Sequence, residues 1–145
     1  MILGISGTRH GVTLAQERAA YGWIGTKRPT AFNHGSCAGV DVQVACIVRK
    51  LMPDCRIVAH PGPDGIWRCE SGVDDITLAV MTHFARNRGI VNASDEMLII
   101  PREYTWQARG GTWFTFDFAM KCGRPTTVIW PNGEVVDGKD VEVNR

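Results

Sequence analysis

The sequence predicts an α/β fold in which a doubly wound, mainly parallel sheet is flanked by helices. Three observations predict it. Five apolar segments, at residues 1–6, 30–34, 56–59, 96–100 and 126–130, alternate with segments of helical pattern. Those segments are continuous apolar runs, as expected of strands covered on both faces. Glycine-rich loops follow three of them, and right-handed crossovers then favour a doubly wound order.

Residues 1–6 read as a buried strand that ends in the loop Gly7-Thr8-Arg9-His10-Gly11. Residues 13–23 form a helix, which Gly25 stops and Pro29 bars from resuming. After the short strand at 30–34 comes a tight glycine loop, Gly35-Ser36-Cys37-Ala38-Gly39. Residues 41–51 follow as an amphipathic helix, with Val40, Val44, Ile47 and Leu51 on one face. Pro53 ends it. A strand at 56–59 leads into a Gly- and Pro-rich loop at 60–72. The pattern is helical from 74 to 93, with Asp74 or Asp75 suited to the N-cap and Gly89 dividing the stretch in two. The strand at 96–100 opens a long loop to residue 111. Residues 112–121 form a helix stopped by Gly123, and 126–130 are the last core strand. Asn132-Gly133 and Asp137-Gly138 are turn dipeptides, so the tail folds as a short C-terminal hairpin. The expectation is one Rossmann-like domain over residues 1–145.

Composition narrows the function. The net charge is +1, whereas sequence-independent nucleic-acid binding draws on a basic excess. A nucleic-acid partner is therefore not expected, and a small anionic ligand, needing only a few donors, suits the balance better. The five cysteines, at 37, 46, 55, 69 and 122, are odd in number and form no CxxC pair. That argues against a zinc site or a disulfide framework and for reduced thiols in a cytoplasmic protein. Cys46 and Cys122 fall in apolar helical patterns and read as small core residues. His10, His34, His60 and His83 lack metal-ligand spacing and read as structural or surface groups, so no metal and no cofactor is expected. The first residues lack the basic region and cleavage site of a secretory signal. No run approaches the ~18 apolar residues of a membrane span.

In open parallel sheets ligands bind beyond the carboxyl ends of the strands. Three loops qualify. In the first, Gly7 permits close backbone approach, Thr8 offers a hydroxyl and Arg9 can fork onto a phosphate. In the second, Gly35, Ser36 and Gly39 let N–H groups at a helix start face an anion. Asp41, in the first helical turn, suits either a ribose hydroxyl or the helix dipole. In the third, Gly110, Gly111 and Thr112 open a helix in the same way. Arg86 and Asn87, at a break in the helical region, are candidates for phosphate and ribose. Trp106 or Trp113 would stack on a base.

The order of these pieces resembles the SLOG superfamily, which includes the Smf/DprA DNA-processing proteins and the LOG cytokinin-activating enzymes. It also takes in ligand-sensing domains of some TIR-linked defence proteins and TRPM channels. GSCAGVD at 35–41 is similar to the GGARGVD of DprA-like members, and RNRGIVNASDEMLII at 86–100 to their RNRIIAGLSD and following strand. GGTWFTFDFAMKCGRPTTVIWPNG at 110–133 is similar to their SGSLITA…A…GR…PG segment. LOG-type enzymes use PGGxGTxxE, in which a Glu and an Arg carry N-glycosidic hydrolysis of nucleoside monophosphates. Arg86 matches that Arg, but the Glu position falls on Thr115, and eight residues separate Pro101 from Gly110. Thr115 cannot act as a carboxylate; Glu103 and Asp117 are the nearest substitutes in sequence. The resemblance thus implies a homo-oligomeric binder that senses or sequesters a nucleotide-derived signal, such as ADP-ribose or a cyclic form, without turnover. A phage counter-defence protein would act in this way. LOG-like phosphoribohydrolase activity is the alternative, and DprA-like single-stranded DNA binding the second.

Overall fold

The computed structural model describes residues 1–145. Seven strands make one sheet: β1 (Ile2–Gly7), β2 (Ala31–His34), β3 (Arg56–Ala59), β4 (Ile76–Thr77), β5 (Glu96–Ile100), β6 (Thr126–Ile129) and β7 (Val135–Asp137). Four helices connect them: α1 (Leu14–Lys27), α2 (Val40–Leu51), α3 (His83–Asn92) and α4 (Gly111–Lys121). The strand order is β4-β3-β2-β1-β5-β6-β7, parallel except for β7, which pairs antiparallel with β6. The chain starts at the centre, winds out to β4, then returns to lay β5 on the other side of β1. The switch in strand order therefore lies between β1 and β5, where a crevice opens at the carboxyl ends.

Both faces are covered, which is why the strands are apolar throughout. On one face α1 and α2 pack Ala20, Ile24, Val44 and Val48 onto Leu3, Ile5, Phe32 and Ile57. On the other, α3 and α4 pack Ile90, Val91, Trp113 and Phe116 onto Met97, Ile99 and Val128. Gly4 faces this second layer: a Cβ there would meet the Met97 sulfur at 2.4 Å and Ser94 Oγ at 2.5 Å. Buried apolar area of this kind, at about 25 cal/mol per Å², is the main term holding the layers.

The ends of α1 show how one side chain fixes the crevice. Thr13 and Gln16 form a reciprocal capping box. The Gln16 amide continues inward and donates to the carbonyls of Pro101 (2.9 Å) and Ile129 (3.1 Å). It thereby ties the ends of β5 and β6 to α1.

Several expectations need correction. Residues 74–82 are not helical. Asp75, read as an N-cap, instead accepts from the Ile57 N–H and from Arg49 and so stitches β4 onto β3. Asp74 accepts from His34 and Ser71. α3 begins only at His83, with Thr82 as its true N-cap. It runs through Gly89 without a break, so Arg86 and Asn87 lie within a continuous helix. α1 also continues through Gly22 and Gly25 and stops at Arg28, whose φ of 47° is left-handed, just before Pro29. The hairpin is formed by β6 and β7 around Asn132-Gly133, while Gly138–Asp140 is a 3₁₀ turn. Cys46 and Cys122 are half-buried, and Cys55 is the buried thiol.

Candidate functional site

A cleft of about 950 Å³ lies at the switch point. The loop after β1, the loop after β5, one side of α3 and the first turn of α4 form its walls.

The β1 side is rigid. Thr8 N–H donates to Ile100 C=O (3.0 Å), and Thr8 C=O accepts from Val40 N–H (3.0 Å). Thr8 Oγ1 accepts from His10 N–H at 3.1 Å. A Cβ on Gly7 would meet Val40 Cγ1 at 2.5 Å, so this glycine lets α2 press against the end of β1. Gly39 has a φ of +85°, and a Cβ there would meet Thr8 C=O at 2.5 Å. The close approaches expected of these glycines occur, but the partner is the protein itself, the Val40 side chain and Ile100 C=O at Gly7 and the Thr8 carbonyl at Gly39.

Gly35, Ser36 and Gly39 stand behind the cleft wall, while Cys37 and Asp41 reach the cleft itself. Asp41 is buried and accepts from Gly35 N–H at 2.8 Å. Burial pushes its carboxyl above the usual range; His34, Arg86 and the N–H groups of Gly35 and Cys37 offset this only in part. Burial and the Asp41 charge likewise raise the Cys37 thiol, against the pull of Arg86 and Arg9. A thiol held protonated is a poor nucleophile.

Arg86 crosses from α3 to this cluster. Its side chain is buried, and Nη1 donates to Gly35 C=O. Nη2 lies 3.3 Å from His83 Nδ1. Nε has no partner, the one buried side-chain nitrogen or oxygen in the fold left so. Leaving a charged group's donor unsatisfied in a buried place is expensive, and such sites often await a ligand or serve function. Behind Arg86, His34 accepts from Ser36 N–H on Nδ1 (3.1 Å) and faces Asp74 with Nε2 (2.6 Å). Since Nδ1 accepts, Nε2 carries the proton toward Asp74. His60 donates from Nε2 to Asn33 Oδ1 (3.0 Å), because the Asn33 amide already donates to Ser94 and Ala93. Burial first, and then His34 and Arg86, lower the His60 pKa to about 4.

The opposite wall is the start of α4. Gly110 has a φ of +104°, and no side chain caps the helix. The first N–H to find an acceptor within the helix is Phe114, on Gly110 C=O at 2.9 Å. The N–H groups of Gly111, Thr112 and Trp113 therefore end at the cleft without a protein acceptor, where the helix dipole favours an anion. Asn87 lies beside Gly111 on the neighbouring helix, and Arg102 and Arg109 stand on the loop between β5 and α4.

Two expected stacking residues are committed elsewhere. Trp106 is buried and donates its indole N–H to Asp117 at 2.9 Å, off the cleft wall. Trp113 is buried too and donates to Glu103 at 2.9 Å. Thr115 is buried, and its hydroxyl bonds Gly111 C=O at 2.8 Å. Besides Phe114 of α4, two cleft aromatics escaped sequence reasoning, Trp67 from the loop after β3 and Phe84 from α3. Their only sequence signal is an aromatic in a Gly/Pro loop and one in an arginine-rich first turn.

No family model and no curated protein matches the chain in sequence. Solved structures do match in fold. The molybdenum cofactor binding protein of the phototrophic bacterium Rippkaea orientalis is 19% identical with a TM-score of 0.62, over 89% of this chain and 76% of that one. TM1055, a structural-genomics target, is 12% identical with a TM-score of 0.59, over 86% and 71%. The DNA processing protein A of Streptococcus pneumoniae is 17% identical with a TM-score of 0.64, over 87% of this chain. The chain spans about half the length of that last protein (49%). The chain shares the fold of all three, the mainly parallel α/β fold expected from the sequence, and the DNA processing protein A is among the proteins that its sequence pattern resembles.

Proposed function

We propose that this chain binds a nucleotide-derived small molecule in the switch-point cleft and holds it without turnover. The observation that carries the reading is the meeting of two anion-seeking features across one cleft. One is the uncapped α4 start at Gly111, Thr112 and Trp113; the other is the buried Arg86 with its orphaned Nε. Phosphate would sit on the α4 N–H groups with Thr112, and Asn87 would serve a ribose hydroxyl. Gly7, Thr8 and Asp41 shape the floor. The molybdenum cofactor binding protein, with its small-molecule ligand, supports the same general class. ADP-ribose or a cyclic relative is the ligand we favour. We read the protein as a cytoplasmic homo-oligomer that senses or sequesters such a signal, the task of a phage counter-defence protein. No helix is long and apolar enough to cross a membrane.

A hydrolase is the second reading, favoured by two carboxylates, Glu103 and Asp117, that line the cleft. Against it, each accepts an indole N–H, and the position matched to the family's Glu is Thr115, whose hydroxyl is spent on its own helix.

Thermal melts with ADP-ribose, cyclic ADP-ribose, NAD and nucleoside 5′-monophosphates test the proposal. A ligand at a hundred times its Kd stabilises by about 2.7 kcal/mol, a rise of several degrees. Chromatography of the same mixtures should recover the stabilising compound intact. No stabilisation by any of them refutes the binding reading, and free base in the mixture favours the hydrolase.

A further inference from the structure

We propose that Trp67 and Arg9 together form one jaw of the site, a stacked surface against which the planar ring of the ligand lies, opposite the α4 start that takes its phosphate. This deepens the nucleotide-binding reading and rests on it.

The jaw is built from two distant loops. The Arg9 guanidinium lies 4.5 Å from the centroid of the Trp67 ring, and His10 packs edge-on against that ring at 5.6 Å. Trp67 is 36% exposed and lines the cleft. An aromatic left this open on a loop is ordinarily mobile, but this one is pinned. Its carbonyl accepts from Ala38 N–H at 2.7 Å, and Cys69 N–H donates to Ser36 C=O at 2.9 Å. Arg68 between them bridges Cys37 and pairs with Asp64 at 2.6 Å. The loop Gly35-Ser36-Cys37-Ala38-Gly39 thus acts as a platform. Its glycines let it fit under Thr8 and Arg86, and its outer edge carries Trp67.

Neither jaw residue has another task. Arg9 is exposed and takes part in none of the ion pairs of the fold. The Trp67 indole N–H is absent from the side-chain hydrogen bonds, whereas those of Trp106 and Trp113 are both engaged. Phe84, the other open aromatic of the cleft, already packs edge-on against Phe114 at 4.6 Å. A guanidinium over an indole offers a flat, cationic and aromatic surface that suits a nucleobase. The ligand class is therefore an intact nucleotide with a base at one end and phosphate at the other, not a sugar phosphate alone.

The test compares AMP, ADP-ribose and ribose 5-phosphate by titration calorimetry on wild type, Trp67→Phe, Trp67→Ala and Arg9→Ala. Circular dichroism checks the fold of each. Wild type should bind at least one of the two nucleotides at least about 10-fold more tightly than ribose 5-phosphate, a typical stacking contribution. Trp67→Ala should remove most of that preference and leave ribose 5-phosphate binding unchanged, while Trp67→Phe keeps much of it. Equal binding of ribose 5-phosphate and both nucleotides by wild type overturns the jaw but leaves the phosphate site standing. So does a loss in Trp67→Ala that is the same for all three probes. Failure of wild type to bind any of the three overturns the jaw, and failure with cyclic ADP-ribose and NAD as well overturns the nucleotide reading with it.

Discussion

Replacing Arg86 by Ala should unfold the chain at a lower temperature, and acid should reverse much of the loss. The side chain is buried and supplies the donor for Gly35 C=O. Leaving a buried carbonyl unpaired costs about 1–3 kcal/mol. The change also strips Asp41, itself buried, of a cation that helps keep it ionised. Removing one member of a well-made buried pair costs about 3–5 kcal/mol. Arg86 and Asp41 are not in ion-pair contact, Asp41 keeps its Gly35 N–H, and the orphaned Arg86 Nε disappears, so the cost reaches below that range. We expect about 2–4 kcal/mol near neutral pH. At about 3 °C per kcal/mol for a chain of this size, the melting temperature should fall by about 6–12 °C. The sign of the pH effect follows from Asp41. Its carboxyl is raised in the folded state, so the folded chain binds that proton more tightly than the unfolded one. Such a group destabilises as pH rises from its unfolded value through its folded value. Without Arg86 it is raised further, so the deficit against wild type should shrink as pH falls from neutral towards the range of an ordinary Asp carboxyl. Thermal melts of wild type, Arg86→Ala, Asp41→Asn and the double variant measure this. A deficit as large in the Asp41→Asn background as in wild type would refute the assigned coupling.

Three further outcomes follow from the same geometry. His60, with a pKa lowered to about 4, binds no proton in the folded chain where the unfolded chain binds one. Stability should then fall as pH drops from about 6.5 towards 4, by up to ~1.4 kcal/mol per pH unit, and His60→Gln should flatten that slope in urea titrations. Gly39→Ala meets a left-handed φ and Thr8 C=O at 2.5 Å; it should cost about 2–4 kcal/mol, while Gly65→Ala, into open space, should stay within about 0.5 kcal/mol. Trp106→Phe breaks the bond to Asp117 and should lower stability by about 1–2 kcal/mol, yet change nucleotide affinity less than twofold by calorimetry.

The sheet was legible because its strands are short apolar runs whose faces both meet helices, and Leu3, Ile5, Leu98 and Ile99 carry that pattern directly. The segment from 74 to 82 was not, because its acids bind distant partners. Asp75 holds Arg49 and the Ile57 N–H, and Asp74 holds His34, contacts that no local periodicity encodes. α1 outran its glycines because Gly22 and Gly25 point into open space. The cost of about 1 kcal/mol for each is outweighed by Ala20 and Ile24 in the core. Sequence located the three glycine loops at the strand ends. It did not reveal what approaches them, since a missing Cβ serves a protein carbonyl and a phosphate equally well. Gly39 meets Thr8, Gly35 meets Arg86 and Asp41, and only Gly110-Gly111 faces open cleft. Trp67 escaped because its place depends on backbone bonds to Ser36 and Ala38, some thirty residues earlier.

The most direct test of the central claim is retention of a nucleotide from a mixed pool. Purified protein, wild type and Arg86→Ala in parallel, is incubated with nucleoside monophosphates, NAD, ADP-ribose and cyclic ADP-ribose, then filtered. Retained and free fractions are read by mass spectrometry after denaturation. The account predicts one intact compound enriched on wild type, reduced by about 10-fold or more on Arg86→Ala, in line with the loss of a charge-assisted contact. No enrichment on wild type, or free base accumulating in the filtrate, would contradict it.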